Sequence, residues 1–513
     1  INMLLPVIRL LLKASIVAPY LCGAKNVVMM PTPMTSYFIF HSEIGQALVK
    51  LGHNVTICVP EYLANKGLIQ HKEIHVMKYG DYLGDVEDHV YGKTQMIDRF
   101  WNGEILTISS LFSVLEIFKE LTDRVLTDDS FIKSLRELKP DFFVIENCLF
   151  TRDNLVLPYK LDVPFGLIGT VHDYFQSRIP FSPAAEPLFF EQGSDVKSFS
   201  ERVQAAVLSA AFTVFGMFSD SDVVSRYAPE KPYTTIMEIA LKAEIFITEL
   251  DHVLDYPRVA LPNTKLIGGS SVSEAKPLSG NVQQFVNKSS NGIAVVSFGG
   301  GNFYIPDHIK SKMDVAFQNL DLNVVWRVNW TIDKPDRILA LNWIPQNDLL
   351  GHPKTKVFVS HCGKNGQYEA LYHGVPILCL PIYADQFYNS KRIAVKEFGH
   401  YADIREITSE KLTELIQEIA DDPKYRNNIQ KASKLFKELY KVPSKEAAFW
   451  FDHVMKYGGS YMRSSGQQMP LYQYLLVDVM AFLFCAVIIA IFVLYFFLRL
   501  SFYGLQKSKV KKA

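Results

Sequence analysis

Residues 343–386 read WIPQNDLLGHPKTKVFVSHCGKNGQYEALYHGVPILCLPIYADQ. Lys356 to Ser360 is a short β-branched and aromatic run, read as a strand. His361-Cys362-Gly363 makes a turn, Gly363 to His373 a helix, and Ile377 to Leu380 the next strand. Strand, helix and strand in this order form a crossover between parallel strands. Upstream, Gly292 to Phe298 (GIAVVSF) is a strand that runs into Gly299-Gly300-Gly301, and Leu322 to Val328 is another. Together they predict one α/β domain over residues 292–450.

The same pattern occurs earlier in the chain. Asn26 to Met30 (NVVMM) reads as a buried strand, and Pro31 to Pro33 as a turn. Phe40, Ile44, Ala47 and Leu48 recur at helical spacing, Gly52 ends that helix, and Val55 to Val59 is the following strand. Asp141 to Ile145 and Pro164 to Ile168 are later strands of this kind. A first α/β domain therefore covers residues 25–266, and the Gly- and Ser-rich stretch 267–291 reads as a linker ending in a helix. Two such domains leave a cleft between them, the natural place for a ligand.

Two apolar segments flank this body. Residues 1–24 have the basic, apolar character and the small residues of a signal peptide, ending Cys22-Gly23-Ala24. Residues 478–498 include the uncharged run Val479 to Leu498, long enough at 1.5 Å per residue to cross about 30 Å of hydrocarbon. Residues 451–477 are read as a helical juxtamembrane segment. Arg499, Lys507, Lys509, Lys511 and Lys512 make residues 499–513 a basic tail, which predicts a cytosolic tail and a body across the membrane from it. Lys509 and Lys511 resemble the dilysine signal of endoplasmic-reticulum membrane proteins, so a type I single-pass protein of that membrane is expected. Lys plus Arg equals Asp plus Glu, 53 each, which gives no global electrostatic reason to bind nucleic acid. Of the six cysteines, Cys58, Cys148, Cys362 and Cys379 lie outside the two apolar segments, at spacings that fit neither zinc nor a dense disulfide framework. Asn54, Asn287 and Asn329 open N-glycosylation triplets.

The stretch 343–386 also carries chemistry. Free N–H groups at a helix start bind phosphate, and Gly363 lets the backbone approach closely. His361 and Asn365 can bond the same anion, and Glu369, one turn on, can accept from ribose hydroxyls. Trp343 offers a flat face to a base. Asp385 and Gln386 offer an acceptor and a donor to sugar hydroxyls.

These residues resemble the signature of the UDP-glycosyltransferase family, most closely its animal, membrane-anchored branch. The match runs through Trp343, Pro345, Gln346, His361, Gly363, Asn365, Glu369, Ala370, Gly374, Val375, Pro376, Asp385, Gln386 and Asn389. The resemblance implies two Rossmann-like domains facing a cleft, the GT-B arrangement, with the second domain holding a UDP-sugar. It places Trp343 on uracil and Gln346 on the uracil edge or ribose. His361 and Asn365 would hold the pyrophosphate, with Ser297, Gly299 and Gly363 beside it; Glu369 would hold the ribose, and Asp385 with Gln386 the sugar. It implies inverting transfer of a glucuronosyl or glucosyl group to a small lipophilic acceptor, with no metal and no cofactor beyond the co-substrate. A homo-oligomer is left open.

The first domain departs from the family pattern. The usual base, a histidine after the first strand, falls on Tyr37, and its partner aspartate falls on Glu146. Tyrosine is a poor base near neutrality. His41, one helical turn on, is an alternative base if it reaches the cleft, and Glu146 is another. Catalysis would thus favour acceptors that ionise readily, or use a rearranged base; the alternative is a chain that only binds nucleotide sugar or lipophilic ligands.

Overall fold

The chain is described here from a computed structural model covering residues 23–69, 71–81, 84, 95–103, 108–171, 173–186, 197–218, 222–299, 304–330, 332 and 336–510. The expected signal peptide lies almost wholly outside these residues.

The first domain is built on seven parallel strands: β1 (Asn26–Met30), β2 (Asn54–Pro60), β3 (His75–Tyr79), β4 (Phe142–Glu146), β5 (Phe165–Gly169), β6 (Phe246–Thr248) and β7 (Thr264–Leu266). Their order across the sheet is β3-β2-β1-β4-β5-β6-β7. Central strands are apolar on both faces because helices cover both, so they read as continuous runs without alternation. Helix α1 (Thr35–Lys50) follows β1 and lays Phe38, Phe40, Ile44 and Leu48 on the sheet beside Val27, Met29 and Val144. Gly52, at φ +96°, turns the chain into β2.

The second domain repeats the plan with β8 (Ile293–Ser297), β9 (Asn323–Arg327), β10 (Ile338–Leu341), β11 (Thr355–Ser360), β12 (Ile377–Cys379) and β13 (Gly399–Tyr401). The order is β10-β9-β8-β11-β12-β13, again all parallel. Helices α2 (Gln346–Leu350), α3 (Lys364–His373) and α4 (Gln386–Val395) stand around the site. Gly374 closes α3 in the left-handed conformation, φ +66°, before β12.

In each sheet the strand order reverses beside the first strand, between β1 and β4 and between β8 and β11. Loops at the carboxyl ends diverge at such a point and leave a crevice. All candidate catalytic and donor-site residues sit at or near these two crevices.

Three boundaries differ from the sequence reading. The second domain does not run to 450. Helix α5 (Pro443–Tyr457) returns to the first domain, where Ala447, Ala448, Phe451 and Val454 pack against β1, β4 and β5. A Cβ at Gly166 would approach the Phe451 ring to 2.7 Å, so only glycine leaves room for it. The start of the linker is not solvated either. Ile267 and Ser270 are fully buried, and Ser270 donates to Glu249, an acceptor its polar composition could not reveal. Residues 463–513 form a separate compact unit. In it the apolar helix does not stop at Leu498: α6 spans Val477–Val510, and Val477–Phe502 is long and apolar enough to cross a membrane.

Candidate donor and acceptor site

The β11–α3 turn is the centre of the candidate donor half. Cys362 sits at φ +63°, and two side-chain amides bind its carbonyl: Gln367 at 2.6 Å and Asn389 at 3.1 Å. A disulfide joins Cys362 to Cys379, at the end of the neighbouring strand β12, with Cα atoms 5.2 Å apart. Cysteine spacing alone did not suggest it. The legible signal was that both cysteines fall at the carboxyl ends of adjacent strands, in register with Ser360 opposite Cys379.

The His361 ring lies between two glycines. A Cβ on Gly299 would come within 3.0 Å of its Nε2 and one on Gly363 within 2.6 Å, so any side chain at either position would displace the ring. His361 also bonds the Ser297 carbonyl, and Ser360 Oγ lies 3.3 Å from its Nδ1. Burial, then the nearby Arg327 guanidinium, lowers its pKa to about 4, so the ring is neutral near pH 7. The Arg327 guanidinium lies 4.6 Å from the centre of the Trp343 ring, over a side chain that is 55% exposed. Sequence reading missed Arg327 as a link between Trp343 and His361.

Glu369 accepts from Gln346 Nε2 at 2.5 Å, and burial raises its pKa to about 7. Gln346 is therefore already tied to Glu369. Asp385 accepts from Asn389 at 2.7 Å and stays partly exposed. Gln386 differs from expectation: it is buried, and its side-chain oxygen caps the N–H groups of Ile382 and Tyr383 at 2.8 and 3.2 Å, so that oxygen is not free for a sugar. Behind this face, the fully buried Arg392 binds Asp255 at 3.0 Å and Gln367 at 2.9 Å, which ties α4 to the segment leaving the first domain.

The two halves touch at the start of α3. Asn365 Nδ2 donates to the Ser36 carbonyl at 3.2 Å, and Lys364 Nζ donates to the Thr170 carbonyl at the end of β5. Asn365 thus sits beside Tyr37 across the cleft.

The acceptor half brings Tyr37, His41 and Glu146 together but presents only one of them. Tyr37 is partly buried, with its hydroxyl 3.8 Å from Cys148 Sγ. Burial, Cys148 and Glu146 push its pKa well above 10, which makes a tyrosinate base still less accessible. His41 does pair with Glu146, Nε2 to Oε2 at 3.4 Å, but both side chains are essentially fully buried. His41 Nδ1 bonds the Tyr37 carbonyl at 2.9 Å and therefore carries its proton there. Burial lowers the His41 pKa to about 3 and raises that of Glu146 well above its ordinary value, so burial disfavours charge on both, and among the described residues neither His41 Nε2 nor the Glu146 oxygens have a hydrogen-bond partner. In this arrangement neither ring nitrogen of His41 reaches the cleft.

A family model described as "UDP-glucoronosyl and UDP-glucosyl transferase" matches residues 25–512. Curated relatives include UDP-glucuronosyltransferase 2B17 from Homo sapiens, 30% identical with 96% of this chain and 95% of the relative covered. UDP-glucuronosyltransferase 2B15 from the same organism is 28% identical over 96% and 95%. Among solved structures, the glycotransferase of kitacinnamycin shares the fold with a TM-score of 0.59 and 16% identity, over 84% of this chain and 99% of that one. Spinosyn forosaminyltransferase SpnP gives 0.57 and 16%, over 85% and 100%. Two parallel α/β domains, each with a crevice at its switch point, are the GT-B glycosyltransferase arrangement, and the chain belongs to the UDP-glucuronosyl and UDP-glucosyl transferase family.

Proposed function

We propose that the protein transfers a glucuronosyl or glucosyl group from a UDP-sugar, with inversion, to a small lipophilic acceptor that ionises readily, such as a phenol. The observation that carries this reading is the pairing of a complete donor turn with a cleft face that presents no base. The acceptor oxygen attacks the anomeric carbon, the bond to the diphosphate oxygen breaks, and the acceptor proton passes to solvent. The N-terminal N–H groups of α3, with His361 and Asn365, offset the charge on the departing UDP, the task a metal performs elsewhere. Phenols, with pKa values near 10, need less help to lose their proton than aliphatic alcohols do.

UDP release measured over a panel of phenols and aliphatic alcohols tests this reading. Turnover with phenols and little with alcohols is expected; faster turnover with alcohols would refute it. A second reading, binding without catalysis, is favoured by the sealed His41–Glu146 pair, and UDP binding with no glycoside formed from any acceptor would establish it.

The same proposal places the body in the endoplasmic-reticulum lumen, anchored by α6. The apolar span, the basic residues after it and the exposed Asn54, Asn287 and Asn329 support this placement. Protease added to sealed microsomes should remove a tag on Ala513 and spare the body. A protected tag reverses the orientation.

A further inference from the structure

Arg392 lies on α4, one helical turn beyond Asn389, and is fully buried. One nitrogen of its guanidinium binds Asp255 at 3.0 Å. Another donates to the side-chain oxygens of Gln367 at 2.9 Å and Asn389 at 3.1 Å. Asp255 belongs to the first domain, in the connection between β6 and β7. Its same carboxylate oxygen also meets Arg258 at 3.5 Å, the Tyr388 hydroxyl at 2.6 Å and the Tyr256 N–H at 2.8 Å.

A guanidinium only donates, so it decides how two side-chain amides stand. A half turn of an Asn or Gln amide exchanges its oxygen and its nitrogen. Against Arg392 the oxygen of each must face the guanidinium, and the nitrogen of each then faces the β11–α3 turn. Gln367 Nε2 reaches the Cys362 carbonyl at 2.6 Å. Asn389 Nδ2 reaches that carbonyl at 3.1 Å and the Asp385 carboxylate at 2.7 Å. Stability alone does not call for this arrangement, since apolar side chains of similar volume often replace a buried ion pair without loss. An apolar side chain at 392 could not orient the amides.

Asp385 is the partly exposed carboxylate to which the donor reading gives the sugar hydroxyls, and the Gln386 oxygen beside it is taken up by backbone N–H groups. We propose that Arg392 is a positioning residue for the donor sugar: through Asn389 it holds the Asp385 carboxylate in place, and it does so from an anchor, Asp255, that the first domain supplies. The inference rests on the donor-site reading above. The turn itself is held independently, by the Cys362–Cys379 disulfide and by Ser360 Oγ, which accepts from the Cys362 N–H at 3.2 Å. Loss of Arg392 should therefore fall on the sugar end and spare UDP.

Calorimetric titration of the full chain with UDP, UDP-glucose and UDP-glucuronate tests this, in the parent, R392M, D385N and the double variant R392M/D385N. The quantity read is the affinity for the UDP-sugar that the parent binds more tightly, divided by the affinity for UDP. R392M and D385N should each lower that ratio roughly tenfold, the loss of about one hydrogen bond to a charged group. The double variant should lose no more than the larger single loss, because both changes act on one carboxylate. A parental ratio in R392M, equal weakening of UDP and UDP-sugar, or losses that add in the double variant would each overturn the inference. If the parent does not bind UDP, or D385N keeps the parental ratio, the donor-site reading falls and carries this one with it. If D385N lowers the ratio and R392M does not, only the role of Arg392 falls. Should R392M not fold, R392K keeps a charge beside Asp255, but its single nitrogen cannot serve Asp255 and both amides. The ratio should fall there too, and a parental value would overturn the inference.

Discussion

The two sheets share one strand order and one kind of crevice, yet they use it in opposite ways. At the β8/β11 switch point the polar side chains are held open by glycines, a disulfide and backbone caps: His361 between Gly299 and Gly363, and Asp385 braced by Asn389. At the β1/β4 switch point the comparable groups turn inward, and His41 and Glu146 face each other 3.4 Å apart out of reach of solvent. Topology supplies the crevice in both halves. Whether it does chemistry depends on which polar atoms the packing leaves unspent.

The sharpest way to break this contrast is to give the first crevice a presented base. Tyr37→His with Glu146→Asp should raise kcat/KM toward aliphatic alcohols by about 10²–10⁴-fold, with a smaller gain for phenols. If rates with alcohols stay at the parental level, the cleft-facing position is not Tyr37.

Removing donors from the second crevice should matter next. His361→Ala should weaken UDP binding by about 1.5–3 kcal/mol, and Trp343→Ala by about 1–3 kcal/mol, as for other base-stacking aromatics. Unchanged UDP affinity in both, measured calorimetrically, would dismantle the donor site.

His41→Ala probes the sealed pair. It removes the side-chain bond to the Tyr37 carbonyl and leaves a void beside the buried Glu146 carboxyl, and should cost about 1–3 kcal/mol of stability. Activity per folded molecule should persist. Its complete loss, with Tyr37→Phe active, would move the base one helical turn along α1.

The smallest effect is a proton. Unliganded Glu369 has its pKa raised to about 7 from the ordinary 4.5, so the free protein loses stability as pH rises through that window. Ribose hydroxyls donating to the carboxylate would lower its pKa again. UDP binding near pH 7 should then release a proton, and affinity should weaken as pH falls below about 7. Calorimetry in buffers of different ionisation enthalpy should show this release in the parent and not in Glu369→Gln.

The candidate donor half could be proposed from the sequence because its parts are contiguous: one turn, one helix and two strand ends carry most of it. The acceptor half was not. His41 and Glu146 lie on elements joined only through the sheet, and no periodicity says that a histidine facing inward will meet a carboxyl there. The apolar spacing of Ala447, Ala448, Phe451 and Val454 marks a buried helix face but not which sheet it covers.

The return of α5 to the first sheet has a consequence for biosynthesis. Phe451 and its neighbours fill a face of a sheet whose strands are complete by Leu266. While a ribosome makes the 176 residues between, that face is covered only in part, by α1. The second domain can close on itself as it emerges, so the domain that begins first is finished last. The nascent chain carries an open apolar surface through most of translation, the kind of surface that chaperones hold. Truncation before Pro443 should therefore yield an aggregating first domain, even though every strand of its sheet is present.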